Sequence, residues 1–398
     1  MRRRQSLVAL AMLGAQGSRA AGSTATGLPP GAPVPAAARE CPLGGARPQP
    51  ATDVADDSCD PVRRGRPLRF SRDHGAHLAN RMEWWYLTGW LGEAARPAYG
   101  MQLTFFRLRT GLAPGPGGRF APRHLLLAHV ALTDLAAGRH RHAQRVARWN
   151  ADPTAAAAAA ALDDTRVHIG DWSLRRTAGR LLAEVGLDDA TRLQLTLNPT
   201  QDLVLQGDRG FSRKGPQESH ASHYYSQPQL TLDARWRQPD GRSRPLSGQG
   251  WLDHEWSDDL MPGDAVGWDW LGINLFDGSA LTVFRLRRAD GSSLWGGGSW
   301  RSADGRTRIF EPDEVAFVPG RRWTSPTSGA AYPVEWALQT AAGRFKLRAL
   351  LDAQELDARA STGLLYWEGL SELLDPSGRR LGLGYLEMTG YAGRMALG

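Results

Sequence analysis

The feature that most narrows what this chain can fold into is that it repeats itself. Trp84-Trp85-Tyr86-Leu87-Thr88-Gly89-Trp90-Leu91 is followed after a turn by Leu103-Thr104-Phe105-Phe106-Arg107-Leu108-Arg109. The pair returns as Trp268-Asp269-Trp270-Leu271-Gly272-Ile273-Asn274-Leu275 and Leu281-Thr282-Val283-Phe284-Arg285-Leu286-Arg287. Thr177-Ala178-Gly179-Arg180-Leu181 is echoed by Thr340-Ala341-Ala342-Gly343-Arg344-Phe345. Gly248-Gln249-Gly250-Trp251-Leu252-Asp253 is echoed by Gly382-Leu383-Gly384-Tyr385-Leu386-Glu387. Four echoes in one order imply a single module present twice, over 74–257 and 258–398.

Aromatic and β-branched runs alternate with turn signals such as Ala136-Ala137-Gly138, Pro239-Asp240-Gly241 and Pro376-Ser377-Gly378, which describes short strands joined by tight turns. With 46 Gly and 25 Pro among 398 residues, a long helical bundle is excluded. The expected fold is all-β: antiparallel up-and-down barrels or sandwiches, a barrel of about eight to ten strands leaving room for one small apolar ligand. The Ala155–Ala161 run fits either two helical turns outside such a barrel or a low-complexity loop. All 15 Trp lie from residue 84 onward, as core fillers or as the lining for a flat, polyene-like lipid.

The net charge of +7 suggests a polyanion partner until it is located. Residues 1–72 hold 11 Arg against five acidic residues, whereas the remaining 326 residues carry 37 basic and 36 acidic side chains. The folded part therefore lacks a nucleic-acid face. Arg2–Arg4, the apolar Leu7–Ala15 and the small-residue pattern Ser18-Arg19-Ala20 read as a secretory signal over 1–20, cleaved after Ala20, with twin-arginine export allowed by the paired arginines. Residues 21–73 read as a Pro/Gly/Ala-rich linker that carries both cysteines, Cys41 and Cys59. No run is long and apolar enough for a membrane-spanning helix.

Duplicated features are scaffold, so chemistry is sought where the copies differ. All ten histidines lie at or before His254. Trp251–Asp259 packs four carboxylates and an imidazole into nine residues, and its counterpart Tyr385–Tyr391 keeps only Glu387. On a strand, Trp251, Asp253 and Glu255 share one face and Leu252, His254 and Trp256 the other, so Asp253 and His254 each need a partner from elsewhere. Asp269 shares a face with Leu271, Ile273 and Leu275, and Glu83 with Trp85, Leu87 and Leu91. A carboxylate on an aliphatic face is desolvated, which raises its pKa and suits a proton donor; the plainer reading pairs each with an arginine. Tyr224-Tyr225-Ser226-Gln227-Pro228 forms a third polar and aromatic cluster. Serine-hydrolase elbow, zinc-helix, P-loop and Rossmann motifs are absent, and Asp253-His254-Glu255 cannot converge on one metal ion. Any catalysis is therefore acid–base work by carboxylates, His and Tyr, with no cofactor expected.

Five segments, Glu83–Gly89, Phe211-Ser212-Arg213-Lys214-Gly215, Tyr224–Pro228, Gly250–Trp256 and Gly267-Trp268-Asp269-Trp270, together resemble the AttH/CrtC group of secreted lipocalin-like proteins, whose members include predicted secreted hydrolases and carotenoid 1,2-hydratases. The resemblance implies two tandem lipocalin-like (calycin-type) antiparallel β-barrels, export to the periplasm or beyond, and an association of some relatives with ABC transporters. The hydratase branch adds water across an isolated terminal double bond, and its D-H-x-W residues correspond to Asp253, His254 and Trp256. Glu255 within that segment and the tryptophan-flanked Asp269 resemble the broader secreted subgroup, so a carotenoid substrate does not carry over. Alkene hydration needs a protonated acid in a dry pocket, an aromatic face for the cation and an admitted water. The roles fall to Asp253 or Asp269 as acid, Trp256 as cation-facing ring and His254 as water-orienting base. Glu83, Trp85, Tyr224, Tyr225, Glu255, Trp268, Trp270 and Glu387 are expected to line the ligand site. The function so read is binding of an apolar isoprenoid- or lipid-like ligand with addition of water to it. The alternatives are a non-catalytic periplasmic lipid carrier or accessory protein of an ABC-type system, and a structural adaptor with filled barrels.

Overall fold

The computed structural model describes residues 61–111, 122–188, 191–237, 240–259 and 261–395. The leader, both cysteines and most of the expected linker lie outside them. Among the described residues no helix is long and apolar enough to cross a membrane.

The first sheet is formed by β1 (Met82–Glu93), β2 (Arg96–Arg109), β3 (His124–Asp134), β4 (Arg139–Trp149), β5 (Ala158–Ala160), β6 (Arg166–Ile169), β7 (Trp172–Thr177), β8 (Arg180–Gly186), β9 (Arg192–Asn198), β10 (Val204–Leu205), β11 (Phe211–Arg213), β12 (Ala221–Arg237) and β13 (Ser243–Ser257). Its order, β4-β3-β2-β1-β13-β12-β9-β8-β7-β6-β5, curls into a nearly closed antiparallel barrel. The second contains β14 (Gly267–Leu275), β15 (Ala280–Arg287), β16 (Ser293–Arg301), β17 (Thr307–Phe310), β18 (Ala316–Pro319), then a small separate hairpin β19 (Arg322–Thr324) and β20 (Ala331–Pro333), β21 (Glu335–Thr340), β22 (Gly343–Ala349), β23 (Glu355–Ala358), β24 (Leu364–Leu374) and β25 (Arg380–Met388). Its order is β17-β16-β15-β14-β25-β24-β22-β21-β18. In both, a four-strand meander opens the sheet and the last strand returns to pair with the first. These are two tandem lipocalin-like barrels.

The ladders refine the repeat. Matching Thr104 with Thr282 and Arg107 with Arg285, as their common motif demands, puts Tyr86 opposite Thr104 and Gly272 opposite Thr282. Glu83 then corresponds to Asp269, Trp84 to Trp270, Glu255 to Glu387 and Tyr224 to Glu368. The sequence echo, which aligned Trp84 with Trp268, is out of step by two residues, and a two-residue slip keeps every side chain on its own face. The Thr177 and Thr340 echoes close β7–β8 and β21–β22, one strand apart in the two sheet orders. They share turn composition, not position.

Each barrel is filled by its own side chains. Trp85, Leu87, Leu103, Leu126, Trp172 and Leu252 belong to the first interior, and Leu271, Ile273, Trp336, Trp367 and Leu386 to the second. The expected space for a ligand inside a barrel is taken up by packing. A third apolar cluster, with Tyr86, Trp90, Trp251, Trp270, Phe284, Leu370 and Tyr385, joins the barrels through the outer faces of β1, β13, β14, β24 and β25. This explains why β1 and the first part of β12 are buried on both faces, whereas β12 alternates from Thr231 onward, where its outer face meets solvent.

Two expectations are corrected. The Ala155–Ala161 run is neither helix nor loose loop: Ala158–Ala160 form buried β5, and the Ala161 carbonyl accepts from the Ala76 N–H. Small side chains let the incoming segment lie close, and a methyl on Gly75 would sit 2.4 Å from the Leu162 carbonyl. The linker expected to run to residue 73 joins the fold earlier, since Asp73 and His74 are buried at the end of the first barrel.

Candidate functional site between the barrels

Strand β13 carries two polar networks, one on each face. On the inner face, His254 stacks on Trp85 with ring centroids 4.8 Å apart, and Trp256 stacks on His77 at 3.6 Å. Glu83 accepts from Arg107 Nε at 2.8 Å, His77 Nδ1 at 2.7 Å and His254 Nε2 at 2.9 Å. His77 Nε2 lies 3.0 Å from Asp73, which also pairs with Arg66. Tyr225 Oη bridges His254 Nδ1 and His74 Nδ1 at 3.1 and 2.7 Å. Burial opposes ionisation of Glu83, but Arg107, His77 and His254 outweigh it and hold the carboxyl well below its usual range. Burial holds His254 below its ordinary range although Glu83 pulls the other way, which favours the neutral ring.

Glu83 is thus an ionised, fully compensated group and not the raised-pKa acid expected on an aliphatic face. Ligand atoms of His77, Glu83 and His254 come within 4.8 Å of one another, close enough to hold a metal ion. The 2.7–2.9 Å separations are hydrogen bonds among the three themselves, and Arg107 already neutralises the carboxylate. The network fastens residues 66–80 onto the barrel.

Asp269 repeats the pattern inside the second barrel. It accepts from Arg285 Nε at 2.7 Å, Arg287 Nη1 at 3.0 Å and Tyr391 Oη at 2.9 Å. Both guanidinium groups and the tyrosine hydroxyl are thus committed to this carboxyl within the second barrel.

The outer face of β13 looks into the junction of the barrels. Asp253, 2 % exposed, accepts from Ser226 Oγ at 2.6 Å, Trp251 Nε1 at 2.7 Å and Tyr224 Oη at 2.7 Å. Tyr224 Oη in turn accepts from Trp270 Nε1 of the second barrel at 3.2 Å. None of these donors is a cation. Burial pushes the Asp253 carboxyl up to about 7, against the pull of its three donors. Its neighbour Glu255 differs, lying 3.0 Å from Lys214 Nζ and accepting from Ser222. The same ammonium lies 4.1 Å from the Phe284 ring centroid.

The facing wall is acidic and aromatic. Glu368 and Glu387 are directly opposite across the β24–β25 ladder, Glu368 buried and Glu387 half-buried in the junction. Burial pushes Glu387 up to about 8 against the Trp268 N–H, and burial with the Glu387 charge raises Glu368 well above its usual range. Trp270, beside Glu387 in the ladder, meets Tyr86 edge-on at 5.3 Å and Trp251 at 6.5 Å. Gly272 makes room for them, since a methyl there would lie 2.6 Å from Trp270 and 3.0 Å from Trp251. Trp84, Trp268 and Trp295 are half-buried at the margin of the cluster.

The structure therefore divides the residues singled out in the sequence. Asp253, Glu255, Tyr224, Trp268, Trp270 and Glu387 meet between the barrels. Glu83, Trp85, Tyr225, His254 and Trp256 lie inside the first barrel, and Asp269 inside the second. Trp256 and Asp253 are on opposite faces of one strand, so that ring cannot face a cation formed at Asp253. Tyr86, Glu368 and Lys214 were missed as site residues. Glu368 carried a signal: an acid set in an aromatic strand, Tyr366-Trp367-Glu368-Gly369.

The AttH-like family model matches residues 61–391. A crystal structure of a candidate AttH from Nitrosomonas europaea is similar, with 42% identity and a TM-score of 0.76, covering 84% of this chain and 99% of that one. Kievitone hydratase from Nectria haematococca shares the fold at 15% identity and a TM-score of 0.59, covering 85% of this chain and 97% of its own. No curated protein matches. With a family match spanning nearly all of the described residues and a relative so alike over the same barrels, the chain belongs to the AttH-like family.

Proposed function

We propose that the junction between the barrels binds an apolar isoprenoid- or lipid-like ligand and adds water to a double bond in it, with Asp253 as proton donor. The observation that carries the reading is a fully buried carboxyl without a cation partner, its pKa near 7, set among aromatic rings. A carboxylic acid that keeps its proton at neutrality in a dry, aromatic setting can protonate an alkene. Trp270 and Tyr86 take the cation-facing role expected of Trp256, because their rings share the Asp253 side of the sheet. Tyr224, held by Trp270 and hydrogen-bonded to Asp253, fixes the direction of the acid. A kievitone hydratase with the same fold is compatible with this chemistry, and the likeness speaks for fold alone. Export, read from the leader, and delivery of the ligand to or from a transport complex complete the proposal.

The test is to incubate the purified protein with squalene and other isoprenoids bearing trisubstituted double bonds and to examine the recovered lipid by mass spectrometry. A gain of one water that disappears in Asp253→Asn supports the reading. Tight binding of unchanged lipid would favour the carrier alternative, and hydration that survives Asp253→Asn would overturn the assignment of the acid.

A further inference from the structure

Two buried polar atoms in the junction have no partner at full hydrogen-bonding geometry, Tyr86 Oη and Glu368 Oε2, although the Tyr86 hydroxyl is near enough to favour the ionised form of Glu368. They belong to opposite walls. Tyr86 is directly opposite Asp253 in the β1–β13 ladder, and Glu368 is directly opposite Glu387 in the β24–β25 ladder. Tyr86 is 4 % exposed and Glu368 3 %, so bulk solvent does not satisfy either. An unsatisfied buried hydroxyl or carboxyl oxygen costs roughly 1–3 kcal/mol, and such atoms persist where a ligand completes them. Electrostatics tie the two walls together. After burial itself, the Glu368 charge is the strongest influence on the Tyr86 hydroxyl, followed by Glu387. Two acids side by side without a cation keep their protons, since burial and each other's charge oppose ionisation. The remaining junction cation, Lys214, is engaged by Glu255.

We infer that Tyr86 and Glu368, beside Glu387, bind a neutral oxygen, the water to be added. The inference rests on the hydration reading and adds to it the site that holds the water. The alkene π electrons form a C–H bond with the Asp253 proton, leaving Asp253 ionised and the adjacent carbon cationic. A lone pair of the held water forms the C–O bond, its O–H bond breaks, and that proton goes to the Asp253 carboxylate left by the first step. The product is the alcohol. The return of that proton to Asp253 restores the starting state. The hydroxyl orients the water by donating to it, while Glu368 Oε2 accepts from it.

Two measurements test this. The first needs no turnover: a high-resolution crystal structure of the wild-type protein shows an ordered water within hydrogen-bonding distance of both Tyr86 Oη and Glu368 Oε2, lost in Tyr86→Phe. Absence of that water in the wild type, or its survival in Tyr86→Phe, overturns the inference whether or not the protein is a hydratase. The second uses squalene in deuterated water and separates protonation from water addition. In Glu368→Gln and Tyr86→Phe, hydration falls at least about 100-fold while deuterium still enters the recovered alkene. In Asp253→Asn both are lost. Hydration in Glu368→Gln and Tyr86→Phe equal to wild type would remove the water site from the mechanism. If the wild type neither hydrates nor exchanges, the hydration reading and the role of the water site in it both fail; the oxygen site itself then stands or falls by the crystal structure.

Discussion

The two faces of β13 carry similar residues to different ends. Inside the first barrel, Glu83 and Asp73 are each opposed by a guanidinium and an imidazole, and their carboxyls are driven toward the ionised form. Outside, 2.7 Å hydrogen bonds surround Asp253 but no cation does, and across from it Glu368 and Glu387 face each other with Glu368 Oε2 lacking a partner at full hydrogen-bonding geometry. The difference teaches that burial alone does not make an acid useful. Compensated charge holds structure together, and uncompensated charge in the same protein is left free to exchange protons.

The comparison can be broken most sharply on the outer face. Asp253→Asn keeps shape and hydrogen-bonding capacity, so squalene hydration should fall by about 10²–10⁴-fold with folding retained; activity of His254→Ala should fall only in step with lost folded protein. A His254 variant that folds fully and is dead would move the site to the inner face. On that inner face, Arg107→Met leaves Glu83 buried with its strongest partner gone and should cost about 3–5 kcal/mol of unfolding free energy in a urea titration. A loss below about 1 kcal/mol would mean the network is not what holds the barrel end.

Opposite pKa shifts make opposite pH signatures. Asp253 keeps its proton in the folded state up to about 7, whereas the unfolded chain releases it near 4, so the unfolded state binds fewer protons in between. Its contribution to stability is present below about pH 4 and lost as pH rises toward 7. Relative to wild type, Asp253→Asn should therefore gain stability over that window, by up to about 1.4 kcal/mol per pH unit, and level off above it. Asp73 has a depressed folded pKa, because hydrogen bonds and the charges of His77 and Arg66 overcome its burial. Asp73→Asn should cost most above about pH 4, with the cost shrinking as pH falls and the wild-type carboxyl takes up its proton. Parallel pH curves for the two variants would erase the distinction between the faces.

Much of this was legible in the residues. Period-two geometry placed Asp253 and His254 on opposite faces, and the Tyr224–Pro228 motif supplied partners to both, Tyr224 to one and Tyr225 to the other. The surplus of arginine gave the plainer reading of Glu83 and Asp269, which the structure bears out through Arg107, Arg285 and Arg287. What could not be read was tertiary. Asp73 and His77 come from a stretch bordering a segment of linker composition, and only the fold carries them under Trp256. Tyr86 stood within a quoted motif, yet its role depends on which outer faces of the barrels meet. The two-residue slip in the echo hid the match of Glu255 with Glu387, and so hid Glu368 beside it.

Smaller effects sharpen the junction further. Gly272→Ala forces the Trp251 and Trp270 rings apart and should cost about 1–3 kcal/mol, with slower hydration because Trp270 no longer reaches Tyr224. Arg379→Ala removes an ion pair to Asp375 in which the arginine side chain is 76% exposed, far from either network, and should change stability by less than about 0.5 kcal/mol in the same titration.

The protonation of Asp253 itself decides the matter most directly. In an infrared pH titration, the wild-type spectrum minus that of Asp253→Asn isolates one carboxyl band. A band that persists at neutrality and disappears with a midpoint near 7 is the predicted result. A midpoint near 4, the value of an ordinary aspartate, would contradict the claim that the junction holds a proton ready for transfer.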